Sequence, residues 1–289
     1  MMKKCVYILL TLAMLLSLCA CGSKAPAENE PEETPQETLP PVEYDRDEGR
    51  LVKEVSTNTN GLKFLTVFYD YDGRGRITKE MHMGINDAPE GYYTNEYDEN
   101  GNLKTRISYV ALGPEEYEEE YTVTYEYNDE GMFISETSVS EGKVLAITKY
   151  EYNAEGQCVS EKHYQGESFL SAEYTYGYDG KGRKANCVRI DYMEDETVEN
   201  RYTYDQSDKL ITDLKCDGDG NVLERIEYTY DDFGNELKRT VFGNSGVMIS
   251  FTKNEYTYDD AGNFTKCVST DSEGDNVSTT EYTWAYSKG

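Results

Sequence analysis

Histidine is nearly missing from this chain, with two residues in 289. Imidazole-based acid–base catalysis and multi-histidine metal sites therefore have almost no raw material. Positive charge is scarce as well. Against 56 Asp+Glu there are 28 Lys+Arg, a formal charge of −28. Phosphate backbones and anionic head groups repel such a chain, which argues against a nucleic-acid partner and against polybasic membrane binding. Tryptophan occurs once and phenylalanine 8 times, while tyrosine occurs 27 times. Proline occurs 7 times, and five of these are Pro26, Pro31, Pro35, Pro40 and Pro41. No segment beyond them carries an apolar stripe at helical spacing, so a helical domain is not expected.

The beginning of the chain reads as an address. Lys3 and Lys4 precede Val6–Leu18, an apolar stretch interrupted only by Thr11 and Ser17. It is shorter than the ~20 residues of a membrane span and has the length of a secretion-signal core. Leu18-Cys19-Ala20-Cys21 resembles a bacterial lipobox, and the resemblance implies that Cys21 is lipidated and becomes the mature N-terminus. The expected organisation is a signal peptide over 1–20, a lipidated acidic Pro-rich tether over 21–43, and a repeat array over 44–289. In the tether, Glu28, Glu30, Glu32, Glu33 and Glu37 repel one another while proline favours extended chain.

The rest of the chain is one unit used repeatedly: aromatic-x-Tyr-Asp/Asn-x-x-Gly-Arg/Asn-apolar. Aligned on the turn residue, the copies fall at Gly49, Gly75, Gly101, Gly131, Gly156, Gly182, Asp208, Gly234 and Gly262, spaced by 26, 26, 30, 25, 26, 26, 26 and 28. Such regularity is the signature of a repeat array. The predicted turn formers are Asp72 with Gly75, Asp98 with Gly101, Asn128 with Gly131, Asn153 with Gly156, Asp179 with Gly182, Asp231 with Gly234 and Asp259 with Gly262. The Asp or Asn side chain accepts a backbone amide two residues on, and the glycine supplies a positive φ. Before each turn, residues alternate as in Tyr121-Thr122-Val123-Thr124-Tyr125-Glu126-Tyr127, the period-two pattern of a strand with one aromatic face. A second turn falls midway in most units, as at Glu141-Gly142, Gln165-Gly166 and Asp217-Gly218-Asp219-Gly220, and Pro89 and Pro114 sit at this same place. Each unit of ~26 residues is thus two strands.

Asp219-Gly220-Asn221 through Tyr228-Thr229-Tyr230-Asp231-Asp232-Phe233-Gly234-Asn235 resembles the YD, or RHS-type, repeat of bacterial surface and toxin-delivery proteins. That resemblance implies long antiparallel sheets spiralling into a shell, outside the cytoplasm. The shells' length and their aspartyl self-cleavage segment are not matched here, so encapsulation is not carried over. The expected fold is all-β: a curled or spiralling antiparallel sheet of tandem hairpins, about nine units of ~26 residues. Laid flat, it would extend nearly ~90 Å at ~4.8 Å per strand, with one tyrosine-rich face. Soluble proteins do not expose an aromatic band of that size, so the sheet must bury this face or keep part of it as a groove.

The candidate ligand-contact aromatics are Tyr125, Tyr127, Tyr150, Tyr152, Tyr176, Tyr178, Tyr202, Tyr204, Tyr228, Tyr230, Tyr256 and Tyr258. As ladders they make a core, and as an open platform they suit carbohydrate or peptide. Asp217, Asp219 and Glu224 hint at a cation site, but turn geometry already explains the aspartates. Met81-His82-Met83 alternates faces, so one metal cannot collect all three. Cys158, Cys187, Cys216 and Cys267 sit at mixed phases of the repeat, which favours free thiols. Nucleophilic triads, phosphate loops and zinc spacings do not occur. No cofactor, metal or catalytic residue is assigned. The expected function is a non-enzymatic cell-surface lipoprotein, a binding module for a glycan, cell-wall or protein partner, held to the membrane by its lipid alone. The alternatives are a structural envelope spacer without a ligand and, behind it, a carboxylate-dependent glycoside hydrolase.

Overall fold

The computed structural model describes residues 50–274 and 278–285. The signal segment, Cys21 and the tether lie outside the described residues, and so does the first turn glycine, Gly49. All described residues belong to one compact unit, Pro41–Gly289.

Eighteen strands follow one another. The first six are β1 (Arg50–Asn58), β2 (Lys63–Tyr71), β3 (Ile77–Met83), β4 (Pro89–Tyr97), β5 (Leu103–Ala111) and β6 (Tyr117–Tyr127). The next six are β7 (Phe133–Ser140), β8 (Lys143–Tyr152), β9 (Cys158–Gln165), β10 (Phe169–Tyr178), β11 (Lys184–Asp191) and β12 (Glu196–Tyr204). The last six are β13 (Leu210–Asp217), β14 (Val222–Tyr230), β15 (Glu236–Gly243), β16 (Met248–Tyr258), β17 (Phe264–Asp271) and β18 (Ser278–Ala285). A 3-10 turn over Ile85–Asp87 is the one helical element among the described residues.

Every strand pairs antiparallel with its neighbours in sequence, and β1 also pairs with β18, from Arg50↔Ala285 to Asn58↔Ser278. This overturns the expected open, curled or spiralling sheet. The sheet is a closed 18-stranded barrel. The physical reason lies in repetition and in edges. A β-bulge recurs where each pre-turn tyrosine meets the following strand, as at Glu96/Tyr97, Glu126/Tyr127, Thr203/Tyr204 and Thr229/Tyr230. Bulges bend and twist a sheet, and the same bend made in unit after unit returns the last strand to the first. Closure then removes two unpaired edges.

The turns are built from the residues that recur. In the Asp72 turn, Oδ1 accepts the amides of Arg74 and Arg76 at 2.8 and 2.9 Å, and the Gly75 amide donates to the Asp72 carbonyl at 3.0 Å. The Asp179, Asp231 and Asp259 turns repeat this geometry. So do the turns at Asn128 and Asn153, where an amide oxygen replaces the carboxylate. In the Asp98 turn Oδ1 accepts the Asn102 amide, and the Gly101 amide donates to the Asp98 carbonyl. Gly75, Gly101, Gly131, Gly156, Gly182, Gly234 and Gly262 all have positive φ, and Asp208 takes the same conformation at φ 63°. The residue after the glycine completes the turn: Arg76 and Arg183 bind the second carboxylate oxygen of Asp72 and Asp179, as Asn102 and Asn235 do for Asp98 and Asp231.

The buried set is thin and largely of small side chains. Val67, Val123, Ala172, Val198 and Ile226 are its apolar members, beside Cys187, Cys216 and Cys267. All four described cysteines are free. A single-layered wall has no second layer to pack against, so its stability rests on ladder hydrogen bonds and on contacts along the wall.

Candidate functional site

Period-two alternation gives the barrel wall two faces. The register places the twelve candidate tyrosines on one of them. Along this face Tyr125 lies opposite Glu136, Tyr150 opposite Glu161, Tyr176 opposite Cys187, Tyr202 opposite Asp213, Tyr228 opposite Arg239 and Tyr256 opposite Cys267. The exposed mid-strand residues Thr124, Glu126, Lys149, Glu151, Thr175, Arg201, Thr203 and Glu255 lie on the other. On a closed wall the concave side is the crowded one, which makes the tyrosine face the inner wall. Burial pushes the carboxyls of Glu136 and Asp213 up on this face. On the opposite face, bonds from Arg201 and Lys253 hold Glu199 and Glu255 down.

Eighteen strands at ~4.8 Å give a circumference of at least ~86 Å and a backbone diameter of roughly 28 Å, the size at which barrels leave an aqueous interior. The inner wall therefore faces a lumen rather than a packed core. The outer wall carries Lys149, Glu151, Lys162, Glu199, Arg201, Lys253 and Glu255, a surface unsuited to face hydrocarbon. Among the described residues no helix is long and apolar enough to cross a membrane.

The aromatics form two tiers. Those nearest the Asp-x-x-Gly turns act as struts. The hydroxyls of Tyr71, Tyr97, Tyr127, Tyr152, Tyr178, Tyr204 and Tyr230 donate to the carbonyls of Leu51, Ile77, Leu103, Phe133, Cys158, Lys184 and Leu210, at 2.5 to 3.0 Å. Tyr256 does the same to Glu236 at 3.1 Å, and the Trp284 indole to Phe264 at 2.9 Å. In all nine hairpins the acceptor is the second residue after the turn position. Tyr258 bonds instead to Asp231 at 2.6 Å and accepts from Asn235. Burial raises Asp231, but the bonds from Tyr258, Asn235 and the turn amides outweigh it and lower its carboxyl to about 2. Of the twelve candidates, Tyr127, Tyr152, Tyr178, Tyr204, Tyr230, Tyr256 and Tyr258 thus spend their hydroxyls on the wall itself.

The second tier lies one step further from the turns. Burial pushes Tyr125 up to about 12, and Tyr150, Tyr176 and Tyr202 further. Tyr228 is raised less, because Arg239 bonds it. Tyr176 donates to Glu161 at 2.6 Å, as Tyr69 does to Glu54 at 2.9 Å. In the second unit Asn95 stands in the tier and its amide donates to the Ile77 carbonyl at 2.9 Å.

Of the polar side chains of the inner wall, the sequence draws attention only to the histidines, each as an isolated residue, and not to their neighbours. They fall five and seven residues after the turn position: Glu54 and Ser56, Glu80 and His82, Arg106 and Ser108, Glu136 and Ser138, Glu161 and His163. After the bulge these positions share the tyrosines' face, so alignment on the turn glycine was the signal that could have found them. His82 bonds Glu80 at 2.7 Å and His163 bonds Glu161 at 2.5 Å. The His82 bond lowers Glu80; for Glu161, burial acts upward and the bonds from His163 and Tyr176 outweigh it. Met81 and Met83 face away from His82 along the strand, their partners being Phe68 and Thr66. Asp217 Oδ1 accepts the amides of Asp219 and Asn221 in a turn of the same kind. Among the described residues no three His, Cys, Asp or Glu side chains are grouped to hold a metal.

No family model and no curated protein matches the chain. Among solved structures, a complex titled TcdB2-TccC3-Cdc42 is similar at 15% identity and a TM-score of 0.37, over 78% of this chain and 16% of that one. This chain thus spans a small part of that one's length. A porin-like protein from Bacteroides uniformis is similar at 16% identity and a TM-score of 0.31, over 81% and 96% of the two chains. An outer membrane lipoprotein-sorting protein domain from Vibrio parahaemolyticus gives 10% identity and a TM-score of 0.24, over 83% and 84%. Likenesses at this level carry neither a family nor an activity to this chain.

Proposed function

We propose that this protein is a non-enzymatic, lipid-anchored envelope protein whose barrel is a binding module for a glycan. The observation that carries the reading is the second aromatic tier. Tyr125, Tyr150 and Tyr202 line the inner wall beside carboxylates and hydroxyls, in a barrel too wide for its side chains to fill. Phenol rings with polar neighbours suit wet, hydroxylated ligands. The lipid at Cys21 would hold the barrel outside the cytoplasm, and its tether would hold it clear of the membrane. A structural spacer without a ligand is the second reading. It is favoured by the strut tier, whose hydroxyls serve the wall alone. Tyrosine modification read out peptide by peptide separates the two, in the presence and absence of cello- and chito-oligosaccharides. Protection of second-tier tyrosines by an oligosaccharide supports the binding module. Unchanged reactivity throughout the panel leaves the spacer.

A further inference from the structure

The two histidines of the chain occupy the same position of the repeat, seven residues after the turn glycine, in the second and fifth units. Their surroundings match as well. Each imidazole bonds the glutamate two residues before it: His82 to Glu80 at 2.7 Å and His163 to Glu161 at 2.5 Å. Each faces a tyrosine ring of the next strand, Tyr93 at 5.6 Å and Tyr174 at 5.1 Å. Each of those tyrosines meets an arginine of the strand after: Arg106 lies 5.3 Å from the Tyr93 ring, and Arg189, which pairs with Asp191, lies opposite Tyr174 in the register. One cluster spans β3–β5 and the other β9–β11, six strands apart in a closed sheet of eighteen, a third of the way round one lumen.

The fold does not demand this arrangement. The same two positions hold Asp213 and Lys215, Arg239 and Val241, and Cys267 and Ser269 in the last three units. A site that tolerates valine, cysteine and lysine elsewhere is not fixed by wall geometry. The side chains remain reachable: Glu80, His82, Glu161 and His163 are 20–27% exposed. His82, Tyr93 and Ser108 also line a recess of about 150 Å³. Each cluster presents a carboxylate, the imidazole bonded to it, a phenol and a guanidinium around an aromatic ring. A further carboxylate stands in each, Glu120 beside Ser108 in the first and Asp191, paired with Arg189, in the second, so an anionic ligand is repelled. A neutral ligand that both donates and accepts hydrogen bonds and has an apolar ring face meets all of these groups.

We infer that the two clusters are equivalent subsites, each binding one neutral sugar residue, so that one barrel takes up two. This rests on the glycan-binding reading above. Because only two histidines exist, imidazole NMR resonances report the clusters separately. The full chain, detergent-solubilised and carrying labelled histidine, is titrated with cello-, chito- and manno-oligosaccharides of a few residues. His82→Gln and His163→Gln assign the two signals. The expected result is that both signals move with one of the panel and that calorimetry gives two sites. Tyr93→Ala should then remove the His82 response and halve the stoichiometry. The unmoved His163 signal shows that the variant is folded, and Tyr93→Phe should keep both responses. Binding that moves neither imidazole, or only one, overturns the paired subsites while the glycan-binding reading stands. No binding to any of the panel overturns both.

Discussion

The hydroxyl of Tyr230 donates to the carbonyl of Leu210 at 2.7 Å, joining the end of one strand to the start of its partner. Leu210 begins β13 and Tyr230 ends β14, whose connecting turn is at Asp217–Asn221, so the bond ties the open end of the hairpin. Replacing this tyrosine by phenylalanine keeps the ring and removes the donor. Tyr230→Phe is expected to cost about 1 kcal/mol, lowering the melting temperature by roughly 2–4 °C. Calorimetry checks it, and an unchanged Tm would deny the struts a role in stability.

Gly131 has φ 77° and open space where a Cβ would stand. Gly131→Ala therefore tests backbone conformation alone. The expected loss is about 1 kcal/mol or more, read as a lower denaturant midpoint. Gly131→Asn should lose less, because Asn tolerates the left-handed region.

Two kinds of inner and turn carboxylate respond to pH in opposite senses. Burial holds Glu136 above its ordinary value in the folded barrel, so its contribution is lost as pH rises through the window above 4.5. Glu136→Gln is expected to raise Tm by on the order of 2 °C at pH 7 and to change nothing at pH 3. Asp231 is lowered to about 2, so its contribution is present above pH ~4 and disappears as pH falls toward 2. Asp231→Asn should accordingly cost stability at pH 7 and progressively less toward pH 2. Thermal melts across pH test both signs.

Burial raises Tyr93, Tyr125 and Tyr282 to about 12. Ultraviolet titration of the native barrel should therefore show most phenolate appearing well above the ordinary tyrosine pKa of ~10. A single transition at that ordinary value would mean that the phenols are not half-buried among their neighbours on the wall.

Because β18 pairs with both β17 and β1, it closes the wall. A chain ended after residue 274 exposes the edges of β1 and β17 and is expected to aggregate or to lose its cooperative transition. A truncated chain that stays monomeric, with an unchanged melt, would contradict closure as the source of stability.

Strand and turn order were legible because each residue of the unit acts locally. Asp72 bonds amides two and four residues on, Gly75 supplies a positive φ, and alternation around Tyr125 and Tyr127 sets one face. Such interactions stay within a few residues of sequence, so composition and spacing specify them. Closure was not legible. It depends on β1 meeting β18, from Arg50↔Ala285 to Asn58↔Ser278, a pairing between the two ends of the array that no motif announces. It arises from a small bend repeated in every unit, whose sum only the whole sheet expresses. The inner-wall groups were hidden for a related reason. Glu80 with His82 and Glu161 with His163 differ from their counterparts in other units, so they stand outside the repeat consensus. Only the register across neighbouring strands brings Tyr93 with Arg106, and Tyr174 with Arg189, to those histidines. Residue pattern alone specifies the hairpin and how often it recurs, because these are short-range. The barrel, its inner face and the company each side chain keeps emerge only in three dimensions, because they follow from curvature and register accumulated around the ring.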